Sequence, residues 1–561
     1  MVEPAAAVNC RLIRNQPVRM RDGVQLATSI YLPLQPEPCP AVLVRTAYNR
    51  AGFFDPFFPK NGLALVVQDV RGRYASEGRW EPVLSEKDDG YEAGEWVARQ
   101  PWCNGKVGMY GDSYLGATQY QAALSDAPHL SALNPRFMSG DCWKRAYFCD
   151  GAFSLGLTWS WLCFECNGRT SEAQQMPLFD VGKLLKTLPV RDLDVASGAG
   201  RVAHYRQYVQ QQQYGEIWEA LSIRDHYEHF DMPVLLTGGW YDYYAGEAPA
   251  IFNGIREHAA DPKTRSAHRL IIGPWTHGIH EGSELGEIDF GKEAEEENDS
   301  TQRWLSCMLK GGNAEEFQAS PVRVFTMGVN RWEDFQTWPP AAAADQCWYL
   351  QPGGGLAPQE PTGSNPSRYR YDPDDPVPTR GGNHSIGPYN PGLYDLAPPG
   401  PYDQRPIEER DDVLVFTSEP LEVPLQVTGR LRMKLFAASS CPDTDFVARL
   451  TDVFPDGRSI NIAEGIIRVR YRESIYGEPV LMEPGEVYEF AIDMQITSNV
   501  FQRGHRLRVD VTSSSWPLWD RNLNVAESPE SATHWEVAEQ QIFHEPAHPS
   551  HILLPVVPSG S

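Results

Sequence analysis

The chain has 561 residues, too long for one ordinary hydrophobic core, so two or three domains are expected. Its formal net charge of −25 excludes the basic footprint of a nucleic-acid binder or of a protein held on an anionic membrane. Hydrophobic and aromatic contents of 41% and 11% are globular values, and no run approaches the roughly 20 apolar residues of a membrane span.

The first residues, Met1 to Cys10, lack the basic stretch and apolar run of a secretory signal, so a cytoplasmic protein is expected. Asp22-Gly23, between Val18–Arg21 and Val24–Tyr31, is a hairpin signal and opens an antiparallel pair of strands. Ala41 to Thr46 reads as an early strand, and the stretch Gly62 to Val67 follows it soon after. Ser85 with Asp88 starts a helix that runs to about Arg99, ahead of Pro101.

The most informative stretch is Lys106 to Tyr120. A short apolar run, Val107 to Tyr110, leads into Gly111-Asp112-Ser113-Tyr114, and a helix-compatible run begins at Ala117. Strand, sharp turn and helix with a serine at the apex form the nucleophile elbow of an α/β-hydrolase, here written Gly-x-Ser-x-x-Gly with Gly116 one place late. Such a site needs an acid and then a histidine, each after a later strand. Pro233 to Gly239 reads as a strand, and Trp240-Tyr241-Asp242 follows it. Arg269 to Gly273 is the next strand, followed by Pro274-Trp275-Thr276-His277. The order Ser113, Asp242, His277 is the order this fold uses. A serine hydroxyl is a weak nucleophile at its free pKa. A histidine can take its proton near neutral pH, and an acid fixes the histidine tautomer. Asp231, Glu247 and His280 are nearby alternatives.

Between the elbow helix and the Asp242 strand, Cys142 to His229 is rich in Trp, Gln and helix formers and reads as a helical cap. In it Trp143, Trp159, Trp161 and Phe164, with Tyr243 beside the acid, are candidates for a substrate-binding aromatic pocket, although aromatics at helical spacing also serve as core. Cys163-Phe-Glu-Cys166 has a metal-like spacing without a second pair, so buried thiols and no metal are expected. Ten cysteines in this length are not a disulfide framework. The strand Pro321 to Thr326 precedes a linker at Ala341 to Asp345 and Gly353 to Gly355. Beyond Cys347, short apolar runs between Pro- and Gly-rich turns read as a β-sandwich. The expected organisation is an α/β-hydrolase domain in two parts, residues 1–141 and 233–345, a helical cap at 142–232, and a β-domain at 346–561.

The elbow, Gly239-Trp-Tyr-Asp242 and Gly273-Pro-Trp-Thr-His277 together resemble the cocaine esterase family of acyl esterases. That family is related to X-prolyl dipeptidyl peptidases and α-amino-acid ester hydrolases. Val67-Gln-Asp-Val-Arg-Gly-Arg73, Trp102 to Lys106, Asp443 to Phe446, Asp452 to Gly457, Ser498 to Phe501 and Ser513 to Pro517 extend the resemblance along nearly the whole chain. It implies a jelly-roll-like C-terminal domain. It also implies an oxyanion hole made by the Tyr48 hydroxyl and the Tyr114 backbone N–H. Asp112 departs from the apolar or small neutral residue expected before the nucleophile. The loop after Tyr48 is short, so acyl-pocket residues there are not carried over.

The expected activity is hydrolysis of a small-molecule carboxylic ester through an acyl-enzyme on Ser113, with His277 as base, Asp242 as orienting acid and no cofactor. An aminopeptidase or α-amino-acid ester hydrolase on the same scaffold is the nearest rival. It would need carboxylates for the substrate ammonium, and Asp112, Glu165 and Glu247 are candidates. A non-catalytic binding protein is the more distant one. Homo-oligomerisation is left open.

Overall fold

The computed structural model describes residues 10–35, 37–170, 180–259, 261–278, 282–294, 299–363, 365–384 and 391–558. Its first sheet has ten strands. They are β1 (Cys10–Arg19), β2 (Gln25–Pro33), β3 (Cys39–Thr46), β4 (Ala64–Asp69), β5 (Cys103–Asp112), β6 (Leu130–Arg136), β7 (Leu235–Gly239), β8 (Arg269–Gly273), β9 (Val322–Thr326) and β10 (Arg331–Phe335). The spatial order is β1-β2-β4-β3-β5-β6-β7-β8-β9-β10. The opening hairpin is antiparallel, as the Asp22-Gly23 turn predicts, with Gly23 at φ 91°. Strands β4 to β9 run parallel, and β10 closes the far edge antiparallel. Strands β3, β4, β7 and β8 are buried along their whole length, which is why they read as continuous apolar runs rather than alternating ones.

Helix α1 (Glu86–Ala98) occupies the span expected from Ser85 to Arg99, and α2 (Tyr114–Ala123) follows the elbow directly. The segment between β6 and β7 carries short helices, among them α3 (Leu155–Ser160), which widens into a π-helical turn at Trp161–Glu165, and α4 (Ala203–Gln210). It also holds one small hairpin, Phe148–Cys149 with Ala152–Phe153. Past β7, α5 (Glu247–His258) packs back on the sheet.

From Ala344 to Val557 a second, mostly antiparallel sheet system forms, with its own core around Leu431, Phe446, Phe490 and Val509. The architecture is thus an α/β-hydrolase domain with an inserted helical segment and a separate C-terminal β-domain. Ala344 and Asp345, assigned to a linker from composition, instead open a strand that pairs with the C-terminal one. Gly353 and Gly354 form the turn of the hairpin that follows, at φ 77° and 82°. Proline- and glycine-rich turns look alike in linkers and hairpins, and the strand partner lies about 200 residues away. The two units meet tightly: Val447, Ile466, Trp516 and Trp519 of the β-domain belong to the same buried cluster as the inserted helices.

Candidate active site

Ser113 sits between β5 and α2 at φ 56°, ψ −124°, a conformation that costs an L-residue energy and turns the side chain out of the sheet. Gly111 (φ 137°) is required because a Cβ there would lie 2.6 Å from the Leu115 side chain. Gly116, the late glycine of the motif, has its own reason. A Cβ on it would lie 2.9 Å from Met138 Cβ and 3.3 Å from the Arg136 carbonyl, so it lets α2 lie close on the end of β6.

The loops after β7 and β8 are joined by backbone hydrogen bonds. Trp240 N–H donates to the Gly273 carbonyl and Tyr241 N–H to that of Trp275, both at 2.9 Å. This close approach explains Gly239, where a Cβ would meet the Trp275 carbonyl oxygen at 2.3 Å. The joined loops bring Asp242 Oδ1 to 2.9 Å from His277 Nδ1. Asp242 is fully buried, and the His277 ring is packed edge-on against Tyr244 and Phe137 at 5.6 and 6.2 Å. Gly239→Ala is therefore expected to lower both stability, by about 1–3 kcal/mol, and turnover. Urea unfolding and ester kinetics on the same preparation check this.

Burial pulls the His277 pKa down. The charge and hydrogen bond of Asp242, helped by Asp112 and Glu165, more than offset this and hold it above the ordinary histidine value.

Ser113, Tyr48, Tyr114 and His277 line one cavity of about 510 Å³ beneath the inserted helices. Tyr48 follows β3. Its N–H donates to Thr46 Oγ1 at 3.0 Å, and its hydroxyl accepts from Trp161 Nε1 at 3.1 Å. The Tyr114 N–H, in the first position of α2, has no intrahelical acceptor. The Tyr114 hydroxyl points elsewhere, donating to Glu86 at 2.7 Å and accepting from Trp80 Nε1 at 3.1 Å.

Of the aromatic residues proposed for the pocket, Trp161 borders this cavity. Trp143, Trp159, Phe164 and Tyr243 are buried away from it. Trp143 packs on Phe148 and Trp218 and donates to the Ile475 carbonyl at 2.7 Å. Trp159 packs on Phe164, and the Tyr243 hydroxyl meets Ser154. These four are core because the inserted segment is thick enough to have an interior of its own.

Among the alternative catalytic groups, Asp231 is exposed ahead of β7. Glu247 is buried against Ser139 Oγ outside the cavity, and His280 lies outside the described residues. Asp112 borders the cavity but is paired with the guanidinium of Arg136, which also stacks over the Tyr110 ring at 4.5 Å. Its charge is thereby answered. Asp112 and Arg136 are register partners at the ends of β5 and β6, a relation visible only once the two strands are known to be neighbours.

Glu165 borders the cavity too. Burial pushes its carboxyl up to about 7, against the pull of His277 and Arg73. Among the described residues no donor makes a hydrogen bond to that carboxylate. The short loop after Tyr48, left unassigned from sequence, supplies much of one wall through Phe53, Phe54, Asp55 and Phe58.

Among the described residues the group spaced to hold a metal ion is His226, Glu228 and His229, which lies outside this cavity; Cys163 and Cys166 recruit no third ligand. All ten cysteines are unpaired. No helix among the described residues is long and apolar enough to cross a membrane.

A serine on a strained elbow, a histidine hydrogen-bonded to a buried acid and an apolar cavity over both define a serine hydrolase of the α/β type. Comparison with known proteins agrees. A family model described as X-Pro dipeptidyl-peptidase (S15 family) matches residues 22–279, and the X-Pro dipeptidyl-peptidase C-terminal non-catalytic domain matches residues 315–553. The chain belongs to the cocaine esterase family of serine hydrolases. It is 36% identical to cocaine esterase from Rhodococcus sp. (strain MB1 Bresler), in an alignment covering 98% of this chain and 99% of that protein. A crystal structure of an aminopeptidase from the marine sediment archaeon Thaumarchaeota archaeon superposes with a TM-score of 0.87 at 25% identity, covering 100% of this chain and 98% of the other. An α-amino acid ester hydrolase does so at 0.87 and 26%, covering 99% of each chain.

Proposed function

We propose that this enzyme hydrolyses small carboxylic esters through an acyl-enzyme on Ser113. The observation that carries the reading is the His277–Asp242 hydrogen bond of 2.9 Å at the edge of the cavity that Ser113 also lines. His277 takes the serine proton, and Ser113 Oγ attacks the ester carbonyl carbon. The Tyr48 hydroxyl and the Tyr114 N–H stabilise the oxyanion, and the alcohol leaves with the proton from His277. Water then repeats the sequence on the acyl-enzyme. Predominantly apolar walls, with Phe53, Phe54, Phe58, Leu157 and Trp161 among them, suit an apolar acyl or alcohol group. Action in the cytoplasm is part of the same reading, supported by ten unpaired cysteines. The direct test is a panel of p-nitrophenyl acyl esters, with labelling by a fluorophosphonate. Turnover and a single labelled site at Ser113 are expected. Absence of labelling would end the assignment.

The pH dependence follows from the site. The base must be neutral to accept a proton, and His277 is held above its ordinary value, so kcat/KM rises through a midpoint above about 6.5. Glu165 is one of the groups that raise it, so Glu165→Gln moves that midpoint down. A pH–rate profile of both proteins checks the sign.

One observation favours a second reading, hydrolysis of esters or amides that carry a basic nitrogen. Glu165 brings to the cavity a carboxylate that no described residue hydrogen-bonds, and the similar structures include the α-amino acid ester hydrolase and the aminopeptidase. The wider carboxylate cluster that reading would want is not assembled, since Asp112 is taken by Arg136 and Glu247 lies outside the cavity. Amino-acid p-nitroanilides cleaved faster than p-nitrophenyl acyl esters would favour this second reading. So would a rise in KM for cationic substrates alone in Glu165→Gln.

A further inference from the structure

The Val67–Arg73 stretch stands out in the sequence, yet the chemistry above gives Arg73 no task. Arg73 is completely buried. Its guanidinium donates Nε–H to the Ala47 carbonyl at 2.9 Å, one residue before Tyr48. Its other nitrogens reach the carbonyls of Glu165 (3.4 Å), Cys166 (3.2 Å) and Gly168 at the end of the π-helical turn. The same turn begins with Trp161, whose Nε1–H donates to the Tyr48 hydroxyl. Tyr48 is thus tied twice to the inserted helices: at its hydroxyl by Trp161, and through the preceding Ala47 carbonyl by Arg73, which follows β4 and bridges to the π turn. The wide π turn lies between the two grips, and such turns recur where a helix must aim side chains at a site.

We propose that Trp161 and Arg73 are positioning residues for the Tyr48 hydroxyl, so that the oxyanion hole is completed across the seam between the hydrolase sheet and the inserted helical segment. The inference rests on the oxyanion role of Tyr48. A phenol O–H lies near the ring plane and has two such orientations; it offers one donor and two acceptor lone pairs. A donor fixed on one side, here the indole N–H, occupies a lone pair there and leaves the proton to the opposite side. Arg73 holds that donor in place. Its fork carries several N–H groups in one rigid plane, which suits carbonyls converging from two segments, and a lysine has no such plane. Its guanidinium also lies over the Trp80 ring at 5.1 Å, and Trp80 packs edge-on against Trp161 at 5.8 Å, so the grip is braced by ring contacts as well.

A double-mutant cycle on kcat separates positioning from mere pocket lining. Trp161→Phe keeps a ring and removes the N–H; alone it is expected to lower kcat about three- to tenfold. In a Tyr48→Phe background the same change is expected to cost under about twofold, since there is no hydroxyl left to orient. KM moves alike in both backgrounds, because the lost indole area is the same. Arg73→Lys is expected to follow the Trp161 pattern, with a lower melting temperature in addition. Equal kcat losses in both backgrounds, or no loss from Trp161→Phe alone, would overturn the inference and leave the oxyanion role of Tyr48 standing. A Tyr48→Phe enzyme with wild-type kcat would overturn both. If Arg73→Lys does not fold, the Trp161 cycle alone decides.

Discussion

Ser113→Ala is expected to remove ester turnover by on the order of 10⁴-fold or more without unfolding the protein. The hydroxyl proposed as nucleophile is lost, while the methyl that replaces it fits where the serine Cβ stands. The Ser113 side chain caps no helix, so its removal leaves no orphaned N–H in α2. The strained φ of 56° is retained, as alanine bears the same Cβ. The melting temperature should therefore stay at the wild-type value while kcat collapses and fluorophosphonate labelling disappears. His277→Ala should be comparably damaging to kcat but not silent in stability. It deprives the fully buried Asp242 carboxylate of a hydrogen bond, at a cost of about 1–3 kcal/mol. Retention of a tenth of the wild-type rate in Ser113→Ala would end the assignment of Ser113 as nucleophile.

Tyr48→Phe is the second large effect. It removes one hydroxyl from the cavity and leaves the ring, which packs edge-on against Tyr114 at 6.3 Å. If that hydroxyl donates to the developing oxyanion, kcat falls by roughly 10²–10³-fold, about 2.7–4 kcal/mol. KM changes little, because the donor is aimed at charge that exists only in the transition state. The rate of phosphonate labelling slows as well, since the phosphonyl oxygen uses the same donors. A kcat near wild type would mean that Tyr48 is a wall residue and that the second donor is another N–H.

How much of this was legible in the chain differs from residue to residue. The elbow was legible because its causes are local. An apolar run must end, Gly111 must adopt a positive φ, and a helix must start within a few residues. The late glycine was the one local puzzle. Its explanation is the contact of Gly116 with Met138 and Arg136, which belong to the next strand and the loop after it. Asp242 and His277 could be read as strand-end residues, but their 2.9 Å contact depends on two loops approaching closely enough to forbid a side chain at Gly239.

The aromatic residues of the inserted segment show where reading stops. Trp143, Trp159 and Trp161 are alike in type and close in sequence, yet only Trp161 borders the cavity. Trp143 is drawn into the interior by Trp218 and by the carbonyl of Ile475, a partner more than 300 positions away. Asp112 reads from sequence only as a departure from the expected neutral residue; its partner, Arg136, is brought beside it by β6. The sequence by itself determined the hydrolase architecture and the order Ser113, Asp242, His277, because strand length, turn glycines and helix starts are constraints within a few residues. Only the tertiary structure decided which aromatics wall the cavity, which carboxylates keep their charge to themselves and how Tyr48 is held. Burial and pairing arise between segments that the chain keeps far apart.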